Sequence, residues 1–380
     1  MIPYGRQNIS DEDIDAVVEV LRSDFLTQGP VVPRFEQAVA AYCGAGHGVA
    51  VNSGTSALHL ACLALDIGPG DRVWTSPITY VATANCVRCC GADVDFVDIE
   101  PGTRNMSVDD LKLRLERARL KGELPKAVIP VHFAGQSCDM EELSVLAEEY
   151  GFRIIEDAAH ALGATYRDMA VGSCRYSDIT VFSFHPVKLM TTGEGGMAVT
   201  NQSGLAERMR RLRSHGINSD GKREGPWGYE QIETGFNYRM TDIQAALGES
   251  QLRRLDEFLQ RRRVLAGRYD EKLAGLPLTT PVTKADRSSA WHLYTVELDP
   301  DRCLRTRREV FDAMRAAGIG VHVHYIPVYR QPYYHDLYGG RIHCEEAERY
   351  YAGALTLPLH PGLGDEYQDY IIDSLAGLLV

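Results

Sequence analysis

Apolar residues change their spacing along the chain at regular intervals. Short, mainly apolar runs at 48–52, 72–75, 94–97, 127–132 and 153–156 alternate with segments at 55–65, 80–90, 108–120 and 140–150, whose apolar positions recur every three to four residues. Runs of that length bounded by polar turns predict strands, and the 3.6-residue period predicts helices. The stretch therefore reads as repeated βαβ units on a mainly parallel sheet. Ahead of it, Ser10 followed by Asp13 marks the start of a helix through about residue 22, and a second amphipathic helix covers 32–43. The rhythm changes after 178. Extended runs at 179–184 and 196–200 flank a Gly-rich turn, a helix covers 205–214, and a polar loop follows at 218–228. One long helical stretch at about 241–273 leads to a strand at 292–298, a helix at 307–317, a strand near 321–323 and two late helices. The expected class is α/β, with a large domain at 1–250 and a smaller α+β domain at 251–380, on which the N-terminal segment can also pack.

Composition narrows the class of function. With 380 residues, 44% hydrophobic and 24% charged, the chain is neither disordered, collagen-like nor a small disulfide scaffold. A formal net charge of -12 argues against nucleic acid as a bulk partner, but not against an anionic small ligand in a local pocket. Nine cysteines, an odd number, sit mostly in apolar stretches and predict a reduced, cytoplasmic protein. Cys86-x-x-Cys89 has no second pair at zinc spacing and reads as a helix end, so no metal is expected. The N-terminal residues lack the basic start and apolar run of a signal peptide. No stretch approaches the roughly 18 apolar residues of a spanning helix, so no membrane partner is expected.

A parallel sheet binds ligands beyond the carboxyl ends of its strands, so the polar residues after each apolar run carry the candidate chemistry. Ser53-Gly54-Thr55-Ser56 follows the first run and opens a helix. Free N–H groups, hydroxyls and a glycine there suit a phosphate, and equally an ordinary N-cap. No Walker spacing and no early G-x-G-x-x-G is present. Asp157, in Glu156-Asp157-Ala158-Ala159-His160, is a strand-end carboxylate that either caps a helix or serves a ligand. Lys188 is one of only seven lysines among 40 basic residues, and Val187, Leu189 and Met190 flank it. Desolvation lowers the pKa of such an amine and frees it to form a Schiff base with an aldehyde. A phosphate cradle, a strand-end acid and an apolar-set lysine together suit pyridoxal phosphate, whose ring nitrogen must be kept protonated. Tyr80 either offers an aromatic face to that ring or packs.

At these residues the chain resembles the sugar aminotransferases of the DegT/DnrJ/EryC1/StrS family. The motifs that carry the resemblance run nearly end to end: LTQGP (26–30), SGTSAL (53–58), TYVATAN (79–85), EDAAHALGA (156–164), FSFHPVK (182–188), TTGEGGMAVT (191–200) and GFNYRMTDIQAALG (235–248). The resemblance implies the fold-type I architecture of aspartate aminotransferases and a homodimer with shared active sites. It also implies pyridoxal 5'-phosphate as cofactor, with pyridoxamine 5'-phosphate as its intermediate form. It makes Lys188 the Schiff-base lysine and Asp157 the partner of the pyridine nitrogen. Ser183 with Gly54, Thr55 and Ser56 becomes the phosphate cradle, Tyr80 the stacking ring, and Asn237 the asparagine that reaches the phosphate of the neighbouring subunit.

Position 160 is usually Gln in the family, next to the cofactor's ring oxygen, and is His160 here. An imidazole still donates a hydrogen bond there, with a protonation that depends on pH. Members with His in place of the lysine are dehydratases, so Lys188 favours transamination. Lys188 and Asp157 together favour an enzyme over a non-catalytic regulator. HALGATY, FSFHPVK, RSHGI (213–217) and VHYIPVYRQPYY (323–334) resemble the pseudaminic acid branch of the family. That branch implies L-glutamate as donor and C4 of a UDP-linked 4-keto-6-deoxy-N-acetylhexosamine as acceptor, giving UDP-4-amino-4,6-dideoxy-N-acetyl-altrosamine. A dTDP- or GDP-linked keto sugar aminated at C3 or C4 is the alternative. Thr27, Gln28, His324, Tyr325, Tyr329 and Arg330 are candidates for nucleotide-sugar contacts, and equally for loop packing.

Overall fold

The alternation of runs and helices is what the structure builds. In a computed structural model describing residues 1–218, 225 and 227–379, helices α1 (Asp11–Leu21) and α2 (Val31–Cys43) come first. They lead into β1 (His47–Val51), α3 (Gly54–Ala64), β2 (Arg72–Thr75), α4 (Ala82–Cys89), β3 (Asp93–Phe96), α5 (Val108–Lys121), β4 (Ala127–Ile129), α6 (Met140–Tyr150) and β5 (Arg153–Asp157). Next come β6 (Thr165–Tyr166), β7 (Met169–Ala170), β8 (Ile179–Ser183), β9 (Gly196–Thr200), α7 (Ser203–Leu212), β10 (Ile217–Asn218), β11 (Glu230–Gln231), α8 (Asp242–Arg253) and α9 (Leu255–Lys272). The C-terminal part holds β12 (Leu278–Thr279), β13 (Arg287–Ser288), β14 (Tyr294–Leu298), α10 (Arg307–Ala316), α11 (Pro332–Tyr338), α12 (Glu345–Gly353), β15 (Ala354–Leu357) and α13 (Asp365–Leu379). Most of the polar loop expected at 218–228, with Lys222, lies outside the described residues.

Seven strands form the main sheet in the order β1-β9-β8-β5-β4-β2-β3. Only β9 runs against its neighbours, because the segment 184–195 loops back and returns the chain beside β8. Both faces are covered, which is why the strands read as unbroken apolar runs. On one face α3, α4 and α7 bury Leu58, Leu60, Val87 and Met209 against Val73, Ile129 and Val181. On the other, α2 and α8 meet Phe182 and Val199, while α5 and α6 pack Leu111, Leu115 and Leu143 against Val128 and Ile154. A separate core surrounds the antiparallel sheet β12-β14-β15, filled by Leu265 and Tyr269 of α9, Val310 and Met314 of α10, and Ile371 and Leu375 of α13. The N-terminal segment joins this second core: Ile2 N–H donates to Gly318 O at 2.8 Å, and Gly320 N–H donates to Ile2 O at 2.7 Å.

Two expectations change. The helical stretch at 241–273 is two helices, broken at Arg254 (φ -102, ψ 1). The break lets the buried stripe change partners: Ala245 and Ala246 face the large sheet, whereas Leu265 and Tyr269 face the second core. Arg254 is held there by Asn8 Oδ1 at 2.6 Å and Asp13 Oδ2 at 3.3 Å. The strand expected near 321–323 is a single bridge, His322 to Thr356, after which the chain leaves the sheet. Ser10 and Asp13 form a reciprocal capping box, as expected. Cys86 is buried, Cys89 is exposed, and no group of three potential ligands among the described residues could hold a metal ion. No helix among the described residues is long and apolar enough to cross a membrane.

Candidate active site

The carboxyl ends of β1, β5 and β8 open onto one cavity of about 450 Å³, with Lys188 on its wall. Each end contributes through a local turn. After β1, the Ser53 hydroxyl accepts the Ser56 N–H at 3.1 Å and caps α3. This leaves the Gly54 and Thr55 N–H groups among the donors that a helix start cannot satisfy internally. A side chain at Gly54 would meet the Ser183 Cβ at 2.9 Å and its Oγ at 3.1 Å, so the glycine lets the helix start and the end of β8 come together. Gly196 of β9 is equally constrained, since a Cβ there would lie 2.5 Å from Ser53 O.

Asp157 ends β5 and is buried. Its Oδ2 accepts from Thr83 Oγ1 at 2.7 Å, and its Oδ1 accepts from Ala159 N–H at 3.1 Å. Lys188 follows β8, half-buried at the cavity wall. Burial pulls its amine down to about 8, and the charge of Asp157 acts in the opposite sense. His160 is buried, with Nε2 3.3 Å from the Tyr325 hydroxyl. Burial, then the charges of Lys188 and His324, holds its imidazole well below the usual range, so the expected pH dependence at this position is displaced to acid. Its Nδ1 is buried and has no hydrogen-bond partner among the described residues, and the same is true of His292, whose ring lies 4.4 Å away.

Of the other expected residues, Tyr80, His324 and Tyr325 line the cavity with Gly54, Thr55, Asp157, His160, Ser183 and Lys188. Three of the expected residues, Ser56, Tyr329 and Arg330, need correction. Ser56 turns away: its hydroxyl donates to Asn52 Oδ1 at 2.7 Å, and Ser53 stands at the cavity instead. Tyr329 is buried in the core and donates to Glu348 Oε1 at 2.9 Å, while Arg330 pairs with the same carboxylate. Thr27 and Gln28 are exposed and outside the cavity of their own chain. Asn237 is also exposed and outside that cavity.

Three of the lining residues that sequence reasoning missed are Tyr4, His322 and Thr83. Tyr4 arrives through the N-terminal strap, whose carbonyl accepts from Leu359 N–H at 3.0 Å, and no local pattern announces it. His322 stands one turn of extended chain before His324, and the His-x-His alternation was its available signal. Thr83, the second residue of α4, is visible only as the partner of Asp157.

The comparisons with known proteins decide the lineage. Residues 7–376 match the family model described as the DegT/DnrJ/EryC1/StrS aminotransferase family. The chain belongs to this family. Among its relatives, the spore coat polysaccharide biosynthesis protein SpsC of Bacillus subtilis is 41% identical over 100% of this chain and 97% of that protein. A UDP-4-amino-4,6-dideoxy-N-acetyl-beta-L-altrosamine transaminase of Campylobacter jejuni is 38% identical over 100% and 98%. Among solved structures, Helicobacter pylori PseC, an aminotransferase involved in the biosynthesis of pseudoaminic acid, superposes with a TM-score of 0.91 at 32% identity, covering 100% of this chain and 99% of that one. Spr1654 of Streptococcus pneumoniae in its PMP form gives 0.91 at 31% identity over 100% and 99%, and it is also solved in a PLP form.

The expected cofactor agrees with those forms, and the site fits it on two observations. The glycine-lined cradle between Ser183 and the start of α3 has room only while position 54 lacks a side chain. The buried His160 Nδ1, without a partner among the described residues, belongs to a cavity residue and fits a polar ligand.

Proposed function

We propose that the protein is a pyridoxal-phosphate-dependent aminotransferase that moves the amino group of L-glutamate to C4 of UDP-4-keto-6-deoxy-N-acetylhexosamine. The product is UDP-4-amino-4,6-dideoxy-N-acetyl-altrosamine. The observation that carries the chemistry is Lys188: a lone, desolvated amine in the same cavity as Asp157 and the Gly54–Ser183 cradle. The sugar rests on the Campylobacter jejuni relative and on the His324–Tyr325 wall, which belongs to the motif shared with that branch.

In this reading Lys188 would hold the cofactor's aldehyde carbon, Asp157 its ring nitrogen, and Gly54, Thr55 and Ser183 its phosphate. Tyr80 would face the ring and His160 its ring oxygen. Once bound, pyridoxal phosphate supplies the electron sink and the carbonyl through which amino groups are exchanged. The free Lys188 amine takes the α-proton from the donor and delivers a proton to C4 of the acceptor. A pKa near the working pH suits an amine that must move a proton both ways. Thr83 and Ala159 hold the Asp157 carboxylate in place while it does its work. His160, held neutral, donates a hydrogen bond without adding a charge. Asn237, Thr27 and Gln28, exposed outside their own cavity, are assigned to the cavity of a neighbouring copy in a cytoplasmic homodimer.

The test is a panel of UDP-, dTDP- and GDP-linked keto sugars with L-glutamate, read by mass and by the stereochemistry of the new amine. Amination at C4 of the UDP sugar alone is expected. Preference for another nucleotide, or a new amine at C3, would overturn the substrate. Loss of a hydroxyl without amino transfer would make the protein a dehydratase. No turnover, with no violet-end absorbance after adding pyridoxal phosphate, would make it a regulator.

A further inference from the structure

The loop that carries Thr27 and Gln28 is tied to a buried acid outside the cavity. Asp242, the first residue of α8, is fully buried. Its Oδ2 accepts the Gly29 N–H at 2.6 Å, and its Oδ1 accepts the Val32 N–H at 2.9 Å. Two helix starts meet at this carboxylate, since α2 receives no side-chain cap from Pro30, and their free N–H groups and dipoles favour a negative charge. On the other side of the loop, Thr27 forms an antiparallel bridge with Thr241, and Asp242 N–H donates to Leu26 O at 3.0 Å. Between these ties Gln28 has φ 56, in the left-handed region that residues other than glycine and asparagine seldom adopt. Gly29 lets the loop close on the acid, because a Cβ there would lie 2.5 Å from both Asp242 Oδ2 and Phe25 Cβ. The anchor itself is fastened to the cavity wall: Thr241 and Gln244 form a reciprocal capping box, and Gln244 Nε2 donates to Glu194 O at 2.9 Å.

We propose that Asp242 is a positioning residue for the acceptor sugar, holding Gln28 in its left-handed backbone so that the Gln28 amide is presented to the cavity of a neighbouring copy, which rests on the reading of Gln28 as a residue of that cavity. A strained backbone persists only where its surroundings over-determine it. Asp242 does so from both sides, through Leu26 before the strained residue and through Gly29 and Val32 after it. A side chain held in advance loses less freedom when the sugar binds, so the effect falls on sugar affinity and not on the proton transfers at Lys188.

The test uses the full-length, cofactor-loaded protein with L-glutamate and UDP-4-keto-6-deoxy-N-acetylhexosamine. Asp242→Asn keeps the size of the side chain and gives up the charge and one acceptor. Its KM for the sugar is expected to rise about tenfold, with kcat changed less than about twofold. Gln28→Gly removes the amide and relaxes the backbone, so it should raise the same KM without lowering the urea midpoint of unfolding. In the double variant the two effects should not add, because Asp242 acts through Gln28. Gly29→Ala, which drives a Cβ against Asp242 Oδ2, should repeat the Asp242→Asn result and serves where that variant does not fold. A sugar KM raised by Gln28→Gly but untouched by Asp242→Asn and Gly29→Ala would overturn the proposal alone, and so would additive effects in the double variant. A KM untouched by Gln28→Gly, or a parent that does not aminate the sugar, would overturn the reading beneath it and the proposal with it.

Discussion

Glu156 and Asp157 are neighbours on β5, each 5% exposed, and the pleat of the strand sends them to opposite faces. Asp157 enters the cavity, held by Thr83 and by one backbone N–H, with Lys188 as the cation that feels its charge. Glu156 points the other way into a closed hydrogen-bonded cluster. It meets His132 Nε2 at 2.7 Å and accepts from Thr180 Oγ1 at 2.8 Å and from Ser177 Oγ. His132 is fully buried and accepts the Cys138 N–H on Nδ1 at 3.1 Å, so its ring proton lies on Nε2 and is donated to Glu156. Equal burial and identical chemistry thus yield two different duties. One carboxylate faces a space for a ligand, and the other is consumed in holding β4, β5 and β8 in register.

That contrast can be broken at either face. The largest effect is expected at the cavity: Lys188→Ala should reduce transamination at least about a thousandfold in a coupled glutamate assay, with an unchanged circular dichroism spectrum. Asp157→Asn should cost roughly a hundredfold in kcat while leaving the denaturation midpoint close to that of the parent. Glu156→Gln should behave in reverse, because it replaces a carboxylate that accepts from three side-chain donors with a neutral amide. The expected loss is about 1–3 kcal/mol of stability, with near-parental activity in whatever fraction folds. If Glu156→Gln instead abolished activity at full stability, the division of duties between the two faces would be wrong.

The pH dependence sharpens the same comparison. The Glu156 pKa is lowered, so its contribution is complete above about 4.5 and is lost on acidification. The stability difference between parent and Glu156→Gln should therefore shrink as pH falls below that limit, as read by urea unfolding across pH. On the cavity face, Lys188 in the cofactor-free protein should become reactive to an amine reagent with a midpoint near pH 8. Asp157→Asn should move that midpoint down, because the carboxylate charge raises it. The smallest effect belongs to Arg330→Ala. It removes a half-exposed ion pair with Glu348 and should cost less than about 1 kcal/mol, with the KM for the sugar unchanged.

These differences also show what a linear chain can disclose. Gly54, Asp157, Ser183 and Lys188 were legible because each stands where a strand ends and a turn begins, and a single local segment fixes the exit direction. Ser56 was misplaced because the same turn offers two serine hydroxyls besides that of Thr55, and only the capping geometry decides which serine stands at the cavity. Tyr329 and Arg330 share a motif with His324 and Tyr325, but a short helical turn at Val328–Arg330 rotates them toward Glu348. Tyr4 depends on pairing between residues 2 and 318–320, a contact no window of sequence contains. The break at Arg254 is set by Asn8 and Asp13, more than two hundred residues away in sequence. The alternation of strands and helices was readable for the opposite reason: burial on both sheet faces stamps it onto every run.

The cradle between α3 and β8 has a consequence for how much protein survives in a cell. Residues 53–55, 157 and 183–188 are remote in sequence, and the turn at Ser53 is pressed from behind by Gly196. A ligand seated among them acts as a reversible staple across three loops. At a hundred times its dissociation constant such a ligand would add about 2.7 kcal/mol to the apparent stability. Starvation for the cofactor would then thin the protein's population through proteolysis as well as silence its site.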